Sequence, residues 1–404
     1  MNKLVLVLIV LSMMACNSAP KDLQAGSNWL FSLDIGDRGV IPFQVEVKDA
    51  TTLIFKNAEE QIEVTDVRYE GDSVYIKMPV FGSEFKGQFT KDNIAGTWHN
   101  YNKKDYAIPF VATKGNLARF ELPEDVNTHD FSGRYNVTFQ DSEGVTTQAI
   151  GIFKQTEDHR VTGTFLTETG DYRYLEGNAS GYRMNLSTFD GAHAFVFNAA
   201  ANPNGALKGK FYSGTHWEET WRAVKDETTQ LTSADELTAL LPGYKTVEFE
   251  FPDAEGKPLA FPSAAYEDKV VILQIIGTWC PNCMDETRYY TKLYDAYKDQ
   301  GLEIIALDFE PTPTLDYFQP RAERFKRDLG VDYPVVLAGP SDKKEAAKSL
   351  PMLNHILSYP TSIFIAKDGS VRKIHTGFSG PGTGQAYTDF VTKTDKLVQS
   401  LLAE

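Results

Sequence analysis

An all-β N-terminal region of tandem meander or barrel-like units, followed by an α/β C-terminal domain, is the fold class this 404-residue sequence predicts. Three observations carry it. Between residues 29 and 225 short apolar-polar alternations are broken by turn residues roughly every eight to twelve positions, the signature of half-buried strands. That stretch also repeats weakly upon itself. Beyond residue 243 strand-like and helix-like runs alternate, as in a sheet flanked by helices. At about 150 residues per domain the chain has room for two or three units.

In the β region, residues 41–47, 74–78, 163–166 and 194–197 show the alternation most clearly. Asp37-Arg38-Gly39-Val40 aligns with Ser142-Glu143-Gly144-Val145, and Phe81-Gly82-Ser83 with Phe189-Asp190-Gly191. Ile94-Ala95-Gly96-Thr97-Trp98 then aligns with Leu207-Lys208-Gly209-Lys210-Phe211. The offset grows from 105 through 108 to 113, as longer loops in a second copy would produce. The expected units are 29–113 and 131–225, joined by 123–130, each with about eight strands curled to hide their edges. Trp98, Trp217 and Trp221 read as core or barrel-closing residues, the usual fate of such aromatics.

A helix over 231–241, capped by Thr232 or Ser233 and stopped by Pro242-Gly243, is expected at the domain boundary. Strands at 247–251 and 270–276 lead into a helix at 281–300, with Tyr290, Leu293, Tyr294 and Tyr297 at helical spacing. A strand at 302–307, a helix at 315–329 broken near Pro320, a strand at 334–338 and a helix at 343–356 follow. A hairpin of 362–366 with 371–375, turned at Lys367-Asp368-Gly369, precedes a closing helix over 385–402. The order implies a mixed central sheet in residues 243–404. The glycine-rich stretch 377–384 lacks the Gly-Lys-Ser/Thr ending of a phosphate loop and reads as a mobile loop capping the last helix. His375 beside it reads as a hairpin residue.

Composition narrows the function. With 42% hydrophobic and 24% charged residues the chain is globular, and a formal net charge of −15 opposes binding to nucleic acid. Residues 1–16 have the layout of an export signal: Lys3, an apolar run over 4–11, then Ser12, Met13, Met14 and Ala15 before Cys16. This resembles a bacterial lipoprotein signal, with Met13 in place of the usual leucine. It implies lipidation of Cys16 and a location in the cell envelope, facing the periplasm and anchored to a membrane.

With Cys16 acylated or removed, Cys280 and Cys283 are the remaining cysteines of the chain. No disulfide framework is possible, and a bridge across so short a loop would restrict the unfolded chain little. A redox centre explains the pair better. Cys280 stands where a strand gives way to a helix, whose unpaired N–H groups and dipole favour a thiolate. Pro281 suits the first turn, and Cys283 lies one turn on, placed to attack a mixed disulfide held by Cys280. Cys280 is the expected nucleophile and Cys283 the resolving thiol. A zinc site is disfavoured, because His99, His129, His159, His193, His216, His355 and His375 show no ligand spacing. Attached haem would need histidine where Met284 stands. No metal or cofactor is expected. A peroxidase frame of Pro-x-x-x-Thr-x-x-Cys is broken by Gly277.

Gly277-Thr278-Trp279-Cys280-Pro281-Asn282-Cys283, with Tyr359-Pro360-Thr361 and Phe364 downstream, resembles the TlpA/ResA-like branch of membrane-attached thioredoxins over residues 243–404. The resemblance implies a thioredoxin-like fold, a cis Pro360 facing the cysteines and shaping the substrate groove, and Glu286 relaying protons to the thiols. Two departures stand out: Gln274 replaces a common buried aspartate, and Arg288 a common helix proline. The expected function is reduction of disulfides in envelope proteins, with an upstream thiol donor restoring the dithiol. The alternatives are a ligand- or partner-binding barrel with an accessory redox domain, and a thiol peroxidase.

Overall fold

The computed structural model describes residues 23–404 apart from 91–92, 122 and 124–127. The signal-like segment and Cys16 lie outside the described residues.

Two antiparallel β-barrel sheets of nine strands each precede a mixed five-stranded sheet. In the first, running from Asn28–Asp34 to Ala107–Lys114, those terminal strands pair with each other. Alternation explains the strands: Trp29, Phe31 and Leu33 point inward from the first, and Phe43, Val45 and Val47 from the second. Burying one face of each strand removes the apolar side chains from water, at about 25 cal/mol per Å². The core is aromatic, with Phe31 stacked on Phe110 at 5.5 Å and on Phe43 at 5.7 Å.

The second sheet runs from Gly133–Gln140 to Trp217–Lys225, and these strands also pair. It closes through Thr146–Gln155 against Arg160–Thr167, while the two-residue strand Gly170–Asp171 hangs from the ring. Closure removes the free edges. The repeat has a physical anchor in Gly96 and Gly209, each in the eighth strand of its sheet. A Cβ would stand 1.9 Å from the Lys86 carbonyl oxygen at Gly96 and 1.8 Å from that of Asn198 at Gly209. Trp98 and Trp221 are buried in the two cores, but Trp217 is 44% exposed, against expectation, because it begins the last strand at the barrel mouth.

Phe189, at a strand end of the second barrel, enters the core of the first and stacks on Phe43 at 4.4 Å. Asn57 brackets it, donating to the Phe189 carbonyl and accepting from its N–H. Between the barrels Arg119 is buried, bonding the carbonyls of Lys56 and Ser187 and pairing with Glu176 at 3.1 Å. The barrels therefore pack as one body.

In the C-terminal domain the strand order is Val335–Pro340, Leu302–Glu310, Val270–Ile276, Thr361–Ile365, Val371–Thr376. The first three are parallel and the last two antiparallel. Every residue of Val270–Ile276 is buried, as a central strand covered on both faces requires. Helices α1 (Pro281–Tyr297), α2 (Leu315–Leu329), α3 (Lys343–Ser349) and α4 (Gln385–Ala403) flank the sheet.

Four local expectations need correction. Residues 231–241 form no helix: their backbone bonds run to other segments, Leu241 N–H to Met352 and Asn354 N–H to Ala239, so the chain lies along the domain as a strap. Pro320 does not break α2, because it removes one early backbone bond while Phe318, Ala322, Phe325 and Leu329 hold the helix to the core. α3 ends at Ser349 instead of 356, since Pro351 disfavours helical geometry at Leu350, found at φ −127°, ψ 67°. Residues 377–384 are docked, not loose: Phe378 is buried and Gly380 N–H bonds Asp171 of the second barrel.

The first barrel also reaches the redox domain. Val80 and Phe81, in a turn, join the C-terminal core, and Val80 N–H bonds the Asp328 carboxylate at 2.9 Å.

Candidate functional site

The strand Val270–Ile276 delivers the chain to Gly277, where a Cβ would lie 2.4 Å from the Trp279 indole. Glycine thus lets the indole fold back over the turn. Trp279 Nε1 donates to the Phe309 carbonyl at 2.9 Å, and Thr278 N–H to Asp308 at 3.0 Å, fixing the turn that presents Cys280.

Cys280 caps the N-terminus of α1, its sulfur accepting from the Cys283 N–H at 3.3 Å. That amide and the helix end present partial positive charge to the Cys280 sulfur. Cys283 is fully buried, and burial together with the Cys280 side chain holds its thiol well above the usual range. The neighbouring sulfurs are therefore in different settings: one caps the helix N-terminus, the other is buried with its proton held. Both are free thiols.

Pro360 follows a cis peptide bond, and the preceding Tyr359 carbonyl accepts from the Cys280 thiol at 3.5 Å. The expected proline thus stands beside the pair. Tyr359 packs edge-on against Trp279 at 5.4 Å.

Glu286 is fully buried, its Oε2 accepting from Gln274 Nε2 at 2.9 Å and its Oε1 from Ser362 Oγ at 3.0 Å. Burial pushes its pKa up to about 8, and its two hydrogen bonds only partly oppose this. Near neutral pH it keeps its proton. Gln274, which departs from the expected aspartate, therefore supplies an amide to a carboxyl carried on the helix. Arg288, in place of the expected proline, pairs with Asp285 at 3.3 Å.

Two features escaped the sequence reading. Asp308 and Glu310 are buried side by side near Thr278, whose hydroxyl donates to Glu310. Burial and their proximity hold Asp308 well above the carboxylate range. Their signal was Asp308 and Glu310 two residues apart at the end of the strand Leu302–Glu310, in which Glu303 is the one other charged residue. The second is Arg173, fully buried where the three bodies meet. It pairs with Glu60 of the first barrel, Asp190 of the second at 3.3 Å and Asp285 of α1 at 2.9 Å. It also donates to the Pro281 carbonyl inside the redox motif at 3.1 Å. Burial pushes Asp171 and Asp285 up to about 6. No local pattern marks this hub, because its partners converge from distant segments.

A dithiol at a helix N-terminus, a cis proline beside it and a buried carboxyl behind it define a thioredoxin-fold redox domain. The AhpC/TSA family model matches residues 242–374. The chain is 34% identical over 136 residues to the thiol-disulfide oxidoreductase ResA of Halalkalibacterium halodurans, covering 33% of this chain and 68% of that protein. It is 34% identical over 143 residues to ResA of Geobacillus thermodenitrificans, covering 35% of this chain and 73% of that protein. A thiol:disulfide interchange protein of Chlorobium tepidum TLS aligns over 41% of this chain and 99% of its own, with 21% identity and a TM-score of 0.31. The chain belongs, through its C-terminal domain, to the AhpC/TSA family, and that domain is a thiol-disulfide oxidoreductase domain homologous to ResA.

Proposed function

We propose that this chain is an exported, lipid-anchored disulfide reductase acting on proteins of the cell envelope. The observation that carries the reading is the asymmetry of the dithiol: Cys280 caps α1 while Cys283 is buried with its proton held. Cys280, giving up its proton, attacks one sulfur of a partner disulfide, and the other sulfur leaves and takes up a proton in its place. Cys283 then bonds to Cys280, its proton relayed through Glu286, which passes its own proton towards the leaving sulfur as it takes this one. The second partner thiol departs. The partner gains two electrons and two protons, and the chain becomes the oxidised disulfide until an upstream dithiol donor reduces it. Export and anchoring rest on residues 1–16 and their Cys16.

The barrel-carrier alternative is weakened by interiors filled with aromatic side chains, among them Phe139, Phe165, Phe197 and Trp221. In a Cys16→Ser background, the prereduced chain should release two equivalents of chromophore from an aromatic disulfide. Cys280→Ser should slow release about a hundredfold or more. Release from Cys280→Ser at the wild-type rate would overturn the assignment of nucleophile.

A further inference from the structure

Cys280 does not open onto a flat face. The second barrel brings Tyr172, Phe195, Phe211 and Trp217 over it, and together with Trp279 and Tyr359 they wall a cavity of about 470 Å³. His193, His216 and Trp279 also border a second cavity of about 340 Å³ that runs on to Asn102 and Lys103 of the first barrel. The two adjoin across shared walls, among them His193, His216 and Trp279, with Cys280 lining the first cavity and Lys103 the second, and together they are termed the channel. The roof is fastened where it meets the redox motif. Asn282 donates to the Asp171 carbonyl at 3.1 Å, Ser358 to that of Thr169, and Arg173 holds Asp285.

Size and charge limit what can use such a channel. A stable docking face between folded proteins needs roughly 800 Å² on each partner, whereas this space matches the pockets of about 300–1,000 Å³ that enclose small ligands. In a chain of net charge −15 the channel is lined by Lys103, Lys343, His193 and His216. Among the described residues its one lining carboxylate, Asp171, is engaged by the N–H groups of Arg173 and Gly380. Among the described residues neither lysine has a carboxylate in ion-pair contact; Lys103 instead lies 2.8 Å from His216 Nε2 and over the Tyr106 ring. Burial pushes Lys103 down to about 8, and burial together with the Lys103 charge pushes His216 down to about 4, so near neutral pH the imidazole is neutral and the lysines carry the positive charge of the lining.

We propose that this channel admits disulfides carried on a short, extended, acidic peptide, whose carboxylates meet Lys103 and Lys343 while its sulfur reaches Cys280, and that it refuses disulfides displayed on folded surfaces. The inference rests on the exchange reading of the dithiol. One peptide sulfur bonds to Cys280 and the other leaves protonated; Cys283 then displaces the first, so two electrons and two protons pass from the chain to the peptide. A free peptide or a flexible segment of a larger protein presents the same chemistry.

Single-turnover oxidation of the prereduced full chain, followed by its intrinsic tryptophan fluorescence, tests this with glutathione disulfide, its cationic counterpart cystamine, and insulin. Each rate is divided by that disulfide's rate with free dithiothreitol. Glutathione disulfide should lead cystamine by about tenfold at low salt, and Lys103→Glu should erase that lead. An acidic disulfide peptide, free and then inserted in an unfolded chain, separates the two sources, and reaction with either sustains the proposal. A normalised insulin rate equal to that of glutathione disulfide, or a lead unchanged in Lys103→Glu, overturns it. If no disulfide oxidises the wild-type chain, the exchange reading itself falls.

Discussion

Glu286→Gln isolates the buried carboxyl behind the thiols. Folding moves its pKa from an ordinary 4.5 up to about 8, chiefly by burial. A carboxyl whose folded pKa is raised holds its proton more tightly when folded. Its contribution is therefore complete below the unfolded value and is lost as pH rises towards the folded one. The loss is about 1.4 kcal/mol per pH unit inside that window, so about 4 kcal/mol between pH 5 and pH 8. Glutamine keeps the shape and does not titrate. Ser362 Oγ, now a donor to Oε1, can rotate to accept from the new amide, so the variant folds at modest cost. Amide protection along Val270–Ile276 reports opening of this domain without requiring the whole chain to unfold in one step. Compared at each pH, wild type should lose protection relative to Glu286→Gln from pH 5 to pH 8, and the difference should level off above the folded pKa. A difference independent of pH would refute the assignment of a buried, neutral Glu286.

Further outcomes follow from the hub and the repeat. Arg173→Ala leaves Glu60, Asp190 and Asp285 without their shared cation and should cost about 3–5 kcal/mol. Because Asp171 and Asp285 titrate near pH 6, the deficit should be larger at pH 8 than at pH 5, read as faster proteolysis of the strap at 231–241. Equal cleavage of variant and wild type at both pH values would remove the hub's role. Gly96→Ala and Gly209→Ala each force a Cβ against a neighbouring strand's carbonyl and should each destabilise their barrel by about 1–3 kcal/mol in urea unfolding. Two neutral substitutions would show that the strands can separate freely there.

What could be read from the sequence was local. Alternation marked the strands of both barrels, and the matched Gly96 and Gly209 recorded a close strand approach that either copy must accommodate. The cysteine pair was legible because a strand, a turn and a helix start lie within a few residues. What failed depended on distant partners. Residues 231–241 have helical spacing and a cap, yet Leu241 N–H donates to the Met352 carbonyl while the carbonyls of Ala234 and Ala239 accept from Thr376 and Asn354, all more than a hundred residues away. Glu286 could be placed on its helix, but its burial depends on Gln274 and Ser362. The roof over Cys280 required the second barrel to pack on the redox motif, through an arginine whose carboxylate partners come from three separate segments.

The central claim is that Cys280 attacks and Cys283 resolves. Prereduced chain carrying Cys283→Ser should accumulate a stable mixed disulfide with a disulfide-bearing substrate, whose other sulfur leaves as a thiol, and the adduct should map to Cys280 by mass spectrometry of its peptides. Failure to form that adduct, or an equally stable adduct at Cys283 in the Cys280→Ser chain, would contradict it.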